Sequence, residues 1–172
     1  PETLVVELTR LHRRTPGAAS NRHQNGLERR HFTDATGWLA TAIATALGCS
    51  VCVAPRCRFV EYRPGAEMRP HVDLAKSVGW WIGGDAATTH TWIIYLSSIP
   101  AGGGGTTAIL ANLDGTGVLD AVHPERGKLF VFPHRTPHAG RPLLENDDIQ
   151  TKLIVRGELL FAEKGGSLLT PS

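Results

Sequence analysis

The sequence predicts a mostly β protein, a sandwich or jelly roll, entered through N-terminal helices. Three observations carry this. Helical periodicity stops at Gly48. Beyond it, short runs rich in β-branched and aromatic residues are separated by Gly, Pro and Asp. No helix-length apolar repeat lies between those runs, which argues against an alternating parallel α/β sheet.

The elements follow in order. Residues 3–14 read as an amphipathic helix with Leu4, Leu8 and Leu11 as its stripe. Glu2 and Glu7 lie early and Arg10, Arg13 and Arg14 late, as the helix dipole favours, and Pro16-Gly17 ends it. Residues 18–32 read as polar loop, with Arg29-Arg30-His31 as a solvated face. A second helix is expected from Asp34 to Leu47, capped by Thr33 or Asp34 and closed by Gly48. Leu39, Ile43 and Leu47 repeat every four residues on it. The expected strands are Val51–Ala54, Arg58–Tyr62, Thr91–Leu96, Thr106–Leu110, Val118–Val122, Lys128–Phe132, Thr151–Val155 and Glu158–Phe161. Both helices should cover one outer sheet face. The Gly102–Gly105 run is a turn, since no Lys-Ser/Thr pair follows to make a phosphate loop.

Composition bounds the function. At 172 residues, one domain is expected over 1–172, with 1–50 a helical lead-in and 51–162 the β core. With 41% apolar and 20% charged residues and a net charge of +2, nothing argues for nucleic acid or membrane as partner. No apolar run reaches the ~18 residues of a membrane span, no signal peptide is visible, and a cytoplasmic location is expected. Cys49, Cys52 and Cys57 include one CxxC but no fourth zinc ligand, so they read as small core or strand residues.

The chemistry gathers at Tyr62-Arg-Pro-Gly-Ala-Glu-Met-Arg-Pro-His71-Val-Asp73. On a strand, His71 and Asp73 point to one face. Two His and one carboxylate form the ligand set of non-haem Fe(II) oxygenases. His138 follows the apolar strand Lys128–Phe132 and is the preferred third ligand. His134 is its rival, and otherwise an exposed loop residue. Lys152, Ile154 and Arg156 share a strand face, either a solvated edge or a cationic wall inside the barrel that an anionic ligand would offset.

Taken in order, these segments resemble a prolyl 4-hydroxylase-like member of the Fe(II)- and 2-oxoglutarate-dependent dioxygenases. The matching pieces are Arg58-Phe-Val-Glu-Tyr62-Arg-Pro-Gly65, His71-Val-Asp73, Thr91-Trp-Ile-Ile-Tyr-Leu96, the Gly102–Gly105 run with Thr106-Thr107, Gly127-Lys-Leu-Phe-Val-Phe132, His138-Ala-Gly140 and Lys152-x-x-x-Arg156. The resemblance implies a double-stranded β-helix (cupin-like jelly roll). It implies Fe(II) bound by His71, Asp73 and His138, with 2-oxoglutarate and O2 as co-substrates and ascorbate as a supporting reductant. It places the far carboxylate of 2-oxoglutarate on Lys152, although the His138–Lys152 interval of 14 residues is longer than the family's usual one. Arg156 is the rival anchor. Tyr62 would wall the 2-oxoglutarate pocket, and Thr91 and Tyr95 could line it. Trp80 and Trp81, in the glycine-bearing segment 74–90, are candidates for a substrate-side lid or for core packing. The expected reaction is hydroxylation of a C–H bond, in a prolyl, other amino-acid or peptide substrate, with release of succinate and CO2. Two alternatives stand beside it: an oxidative nucleic-acid demethylase of the same superfamily, and a non-catalytic cupin-like metal-binding sensor.

Overall fold

The computed structural model describes residues 2–17, 26–78, 86–144 and 151–161. Among these residues two helices, α1 (Glu2–Arg14) and α2 (Trp38–Leu47), accompany ten strands. The strands are β1 (Leu27–Thr33), β2 (Val51–Val53), β3 (Arg56–Tyr62), β4 (Met68–His71), β5 (His90–Tyr95), β6 (Thr107–Leu110), β7 (Val118–Val122), β8 (Leu129–Pro133), β9 (His138–Gly140) and β10 (Lys152–Phe161). They form two antiparallel sheets. The larger runs β1-β3-β10-β5-β8, with β2 also paired to β10, and the smaller runs β4-β9-β6-β7. This is the expected jelly roll.

Register sorts the large sheet into two faces. Phe59, Trp92, Ile94, Val155 and Leu159 face outward and meet Val5 and Leu8 of α1 and Leu39 and Ile43 of α2. Both helices therefore cover one sheet face, as expected. The inner face carries Val60, Tyr62, Ile93, Tyr95, Phe132 and Ile154. Because paired residues point the same way, Lys152 opposite Tyr62 and Arg156 opposite Arg58 also lie on that inner face. The cationic-wall alternative for Lys152 and Arg156 is the one realised, and both side chains are buried.

Several elements differ from expectation. The stretch read as polar loop contains β1, an edge strand paired with β3 over its whole length. α2 begins at Trp38 rather than Asp34, because Gly37 takes a left-handed conformation at its N-terminus. Asp34 still caps it from three residues further out, accepting from the Leu39 and Ala40 amides at 3.0 and 3.1 Å. The last two expected strands are one, β10, passing straight through Gly157. That glycine lies opposite Trp92, and a Cβ there would come within 2.6 Å of the indole. It is thus a site of close approach rather than a break. Cys52 and Cys57 are buried, Cys49 is exposed, and none is paired in a disulfide. No described helix is long and apolar enough to cross a membrane.

Candidate active site

His71 ends β4 and His138 begins β9, and the two are directly opposed across that strand pair. Their rings stand 4.2 Å apart. Asp73 follows β4 and is held by its own backbone, whose N–H donates to the His134 carbonyl at 2.9 Å. Asp73 then lies 3.8 Å from His71 Nε2 and 3.6 Å from His138 Nε2. The three potential ligand atoms fall within 4.8 Å of one another.

Both imidazoles are oriented for this. Nδ1 of His71 donates to the Arg69 carbonyl at 2.8 Å, and Nδ1 of His138 donates to the Thr136 carbonyl at 2.9 Å. Each Nε2 is left with its lone pair toward the shared space, the arrangement metal-binding histidines adopt. Burial pushes His138 down to about 4 despite its bond to Thr136, so it is neutral at pH 7. Burial works against ionisation of Asp73, but the Arg156 guanidinium and the Thr91 hydroxyl outweigh it and hold the carboxyl at about 2. Two imidazole nitrogens and one carboxylate suit a divalent cation.

A second layer fixes the carboxylate. Arg156 donates to Asp73 Oδ2 at 2.7 Å and Thr91 Oγ1 donates to the same oxygen at 2.6 Å. With its proton committed, Thr91 must accept from His134 Nδ1 at 3.0 Å. His134 Nε2 then accepts from Thr88 Oγ1 at 2.9 Å, and Thr88 accepts from the Lys76 amide. The chain Thr88–His134–Thr91–Asp73 thus has one consistent set of donors. His134 is buried, not an exposed loop residue, and both its ring nitrogens are occupied by threonine hydroxyls. That removes it as a third ligand. No local pattern pointed to this network, because its threonines sit more than 40 residues from His134.

Further along the inner face stands Lys152, fully buried. Its Nζ donates to the Gly105 carbonyl at 2.6 Å and lies 4.1 Å from the centre of the Tyr62 ring. No carboxylate pairs with it among the described residues. One charge-assisted hydrogen bond contributes about 1.5–3 kcal/mol and a desolvated cation–π contact about 2 kcal/mol. Desolvating an ammonium costs several kcal/mol, and burial accordingly lowers Lys152 to about 7. Tyr62 is pushed up to about 12, chiefly by burial, and stays neutral. Tyr95, on the same face, shares a 2.7 Å hydrogen bond with Thr107.

The structure therefore brings His71, Asp73 and His138 together, with Thr91 and Arg156 on the carboxylate. Lys152 and Tyr62 form a separate cationic seat, roughly 13 Å along β10 from Arg156 at the rise of a strand. Trp80 and Trp81 lie outside the described residues. Sequence reasoning missed Arg58, although it alternates in phase with Tyr62 on β3, a pattern that places both on one face.

Comparison with known proteins agrees with this fold. The fold is similar to the viral collagen prolyl hydroxylase of Paramecium Bursaria Chlorella virus-1, at 16% identity over 92% of this chain and 91% of that one, TM-score 0.59. It is similar to a Pseudomonas putida prolyl-4-hydroxylase, at 20% identity over 95% and 89%, TM-score 0.63. It also resembles HygX from Streptomyces hygroscopicus, solved with nickel, 2-oxoglutarate and hygromycin B, at 11% identity over 90% and 77%, TM-score 0.61. No curated protein matches by sequence. The model of the 2OG-Fe(II) oxygenase superfamily matches residues 57–157, more than half of the chain. That span holds the two histidines, Asp73, Lys152 and Arg156, and the chain belongs to the 2OG-Fe(II) oxygenase superfamily.

Proposed function

We propose that His71, Asp73 and His138 hold Fe(II), that Lys152 anchors the far carboxylate of 2-oxoglutarate, and that the enzyme hydroxylates a prolyl or other amino-acid residue. The observation that carries the reading is the pair of Nδ1-bonded imidazoles whose Nε2 atoms converge with a carboxylate held ionised by Arg156. Such a donor set fits Fe(II) in an octahedron with positions to spare. Residues 1–172 are read as one oxygenase domain.

When bound, Fe(II) with 2-oxoglutarate and O2 supplies the oxidising power, releasing succinate and CO2 while one oxygen atom enters a substrate C–H bond. The protein supplies position and charge. Arg156 and Thr91 keep Asp73 deprotonated and fix which of its oxygens is free. His134, clamped by Thr88 and Thr91, holds Thr91 in place. Among the described residues no carboxylate pairs with Lys152, and a carboxylate at its Nζ would restore the protonated form that burial disfavours. Arg156, the rival anchor, is already engaged by Asp73 at 2.7 Å, which favours Lys152. Tyr62 walls the lysine and keeps water from it. Trp80 and Trp81 are proposed for the substrate side. The likeness to two prolyl hydroxylases supports a prolyl substrate.

Succinate release from 2-oxoglutarate, with Fe(II) and ascorbate, tests this. Asp73→Ala and His138→Ala should each abolish it. Lys152→Ala should raise the apparent KM for 2-oxoglutarate at least ten-fold, whereas Arg156→Ala should act mainly on the iron requirement. The reverse order would move the anchor to Arg156, and turnover surviving both ligand substitutions would end the assignment.

A further inference from the structure

We propose that the substrate oxidised here is an acid, and that Arg58 receives its carboxylate beside the metal site. The inference rests on the oxygenase reading above and names the substrate class for that same site.

Arg58 lies on β3, opposite Arg156 on one side and His31 of β1 on the other. All three sit on the inner sheet face. Two clefts meet at Arg58 and Arg156. One, of about 600 Å³, reaches His71 and Asp73 and is also lined by Arg29 and Arg69. The other, of about 420 Å³, is also lined by Arg56 and Lys76. Together the two clefts carry six Lys or Arg side chains against three carboxylates, Glu67, Asp73 and Glu158.

That imbalance is larger than it looks. Asp73 is engaged by Arg156 at 2.7 Å. Among the described residues, Arg58 has no ion-pair or hydrogen-bond partner, and Arg156 Nε is buried without one. Burial, and then repulsion from Arg156, lowers Arg58 to about 10 against the weaker attraction of Glu158 and Asp73, so it remains charged at neutral pH. Two guanidiniums opposed across a strand pair repel each other and lose hydration. An oxyanion between or beside them offsets both costs, and the planar fork of Arg suits a carboxylate bidentately.

Other anions fit less well. Glu67 and Glu158, interspersed among these cations, break up the continuous positive surface that a nucleic-acid backbone would need. The co-substrate has its own seat at Lys152, four residues along β10 from the Arg156 that faces Arg58. A monoanionic carboxylate remains, from an acidic side chain next to the oxidised residue or from the carboxyl of a free amino acid.

Paired probes separate these sources. One pair is a proline-containing peptide with Glu beside the proline and its twin with Gln. The other is free L-proline and L-prolinamide. Binding to protein loaded with Mn(II) and saturating 2-oxoglutarate is measured by calorimetry, and succinate release with Fe(II) is measured in parallel. The acid of at least one pair should bind at least ten-fold more tightly than its amide and should stimulate succinate release. A Glu-peptide preference identifies a peptide substrate, and an L-proline preference a free amino acid. Arg58→Gln should erase the preference and Arg58→Lys should keep part of it. Equal binding of acid and amide in both pairs, binding of no acid, or a preference surviving Arg58→Gln overturns the inference. The wild-type comparison stands even if a variant misfolds. Binding of 2-oxoglutarate to the Mn(II) protein, measured first, shows separately whether the oxygenase reading has failed.

Discussion

Lys152 shows most directly how a residue's setting turns into function. Its folded pKa of about 7 lies below the ordinary 10.5 because burial disfavours the charge. The unfolded chain therefore takes up this proton first as pH falls. Stability of the protein without co-substrate should decline from about pH 10 to pH 7 on this account, and level off below pH 7. Binding a carboxylate at Nζ requires the proton. The affinity for 2-oxoglutarate, measured by calorimetry on Mn(II)-loaded protein, should accordingly weaken from pH 7 to pH 9. Lys152→Met should bind weakly and without that slope. A flat wild-type profile would instead favour Arg156 as the anchor. The sequence made the pairing of Lys152 with Arg156 on one face legible, since alternation along a strand is visible in it. It could not show that Arg156 would meet Asp73, 83 residues away, because that depends on how the two sheets pack.

At the level of elements, β10 is the spine of the large sheet, paired with β2, β3 and β5. Gly157 lets Trp92 lie against it. Gly157→Ala should force the indole aside and destabilise the protein by about 1–3 kcal/mol, as overpacking does, read from denaturant unfolding. Asp34→Ala should remove the α2 cap and cost about 1 kcal/mol in the same experiment. The apolar strands were legible because Val, Ile and Phe alternate or cluster in them. Three were not. β1 is Leu27-Glu-Arg-Arg-His-Phe-Thr33, and its charged residues mask an edge strand. β4 is Met68-Arg-Pro-His71 and β9 is only His138-Ala-Gly140, too short and polar to signal a strand. Those last two carry the metal-site histidines, so the elements closest to the chemistry were the hardest to read as structure. His71, Asp73 and His138 themselves were legible by type and order. Their convergence comes from the β4–β9 pairing.

For the molecule as a whole, the site exists only where the two sheets face each other. The small sheet supplies both histidines, and the large sheet supplies Thr91, Lys152, Arg58 and Arg156. Metal bound to His71, Asp73 and His138 would tie β4 to β9, so divalent metal should raise the unfolding temperature, the more so the tighter it binds. Removing it with a chelator should reverse that gain, and Asp73→Ala should show none. The central claim is that this constellation holds Fe(II) and 2-oxoglutarate together, and anaerobic absorption spectroscopy tests it most directly. Adding 2-oxoglutarate to the Fe(II)-loaded protein without oxygen should produce the visible charge-transfer band of a chelated 2-oxo acid, and His138→Ala and Asp73→Ala should lose it. No band in the wild type, or an unchanged band in both variants, would contradict the account.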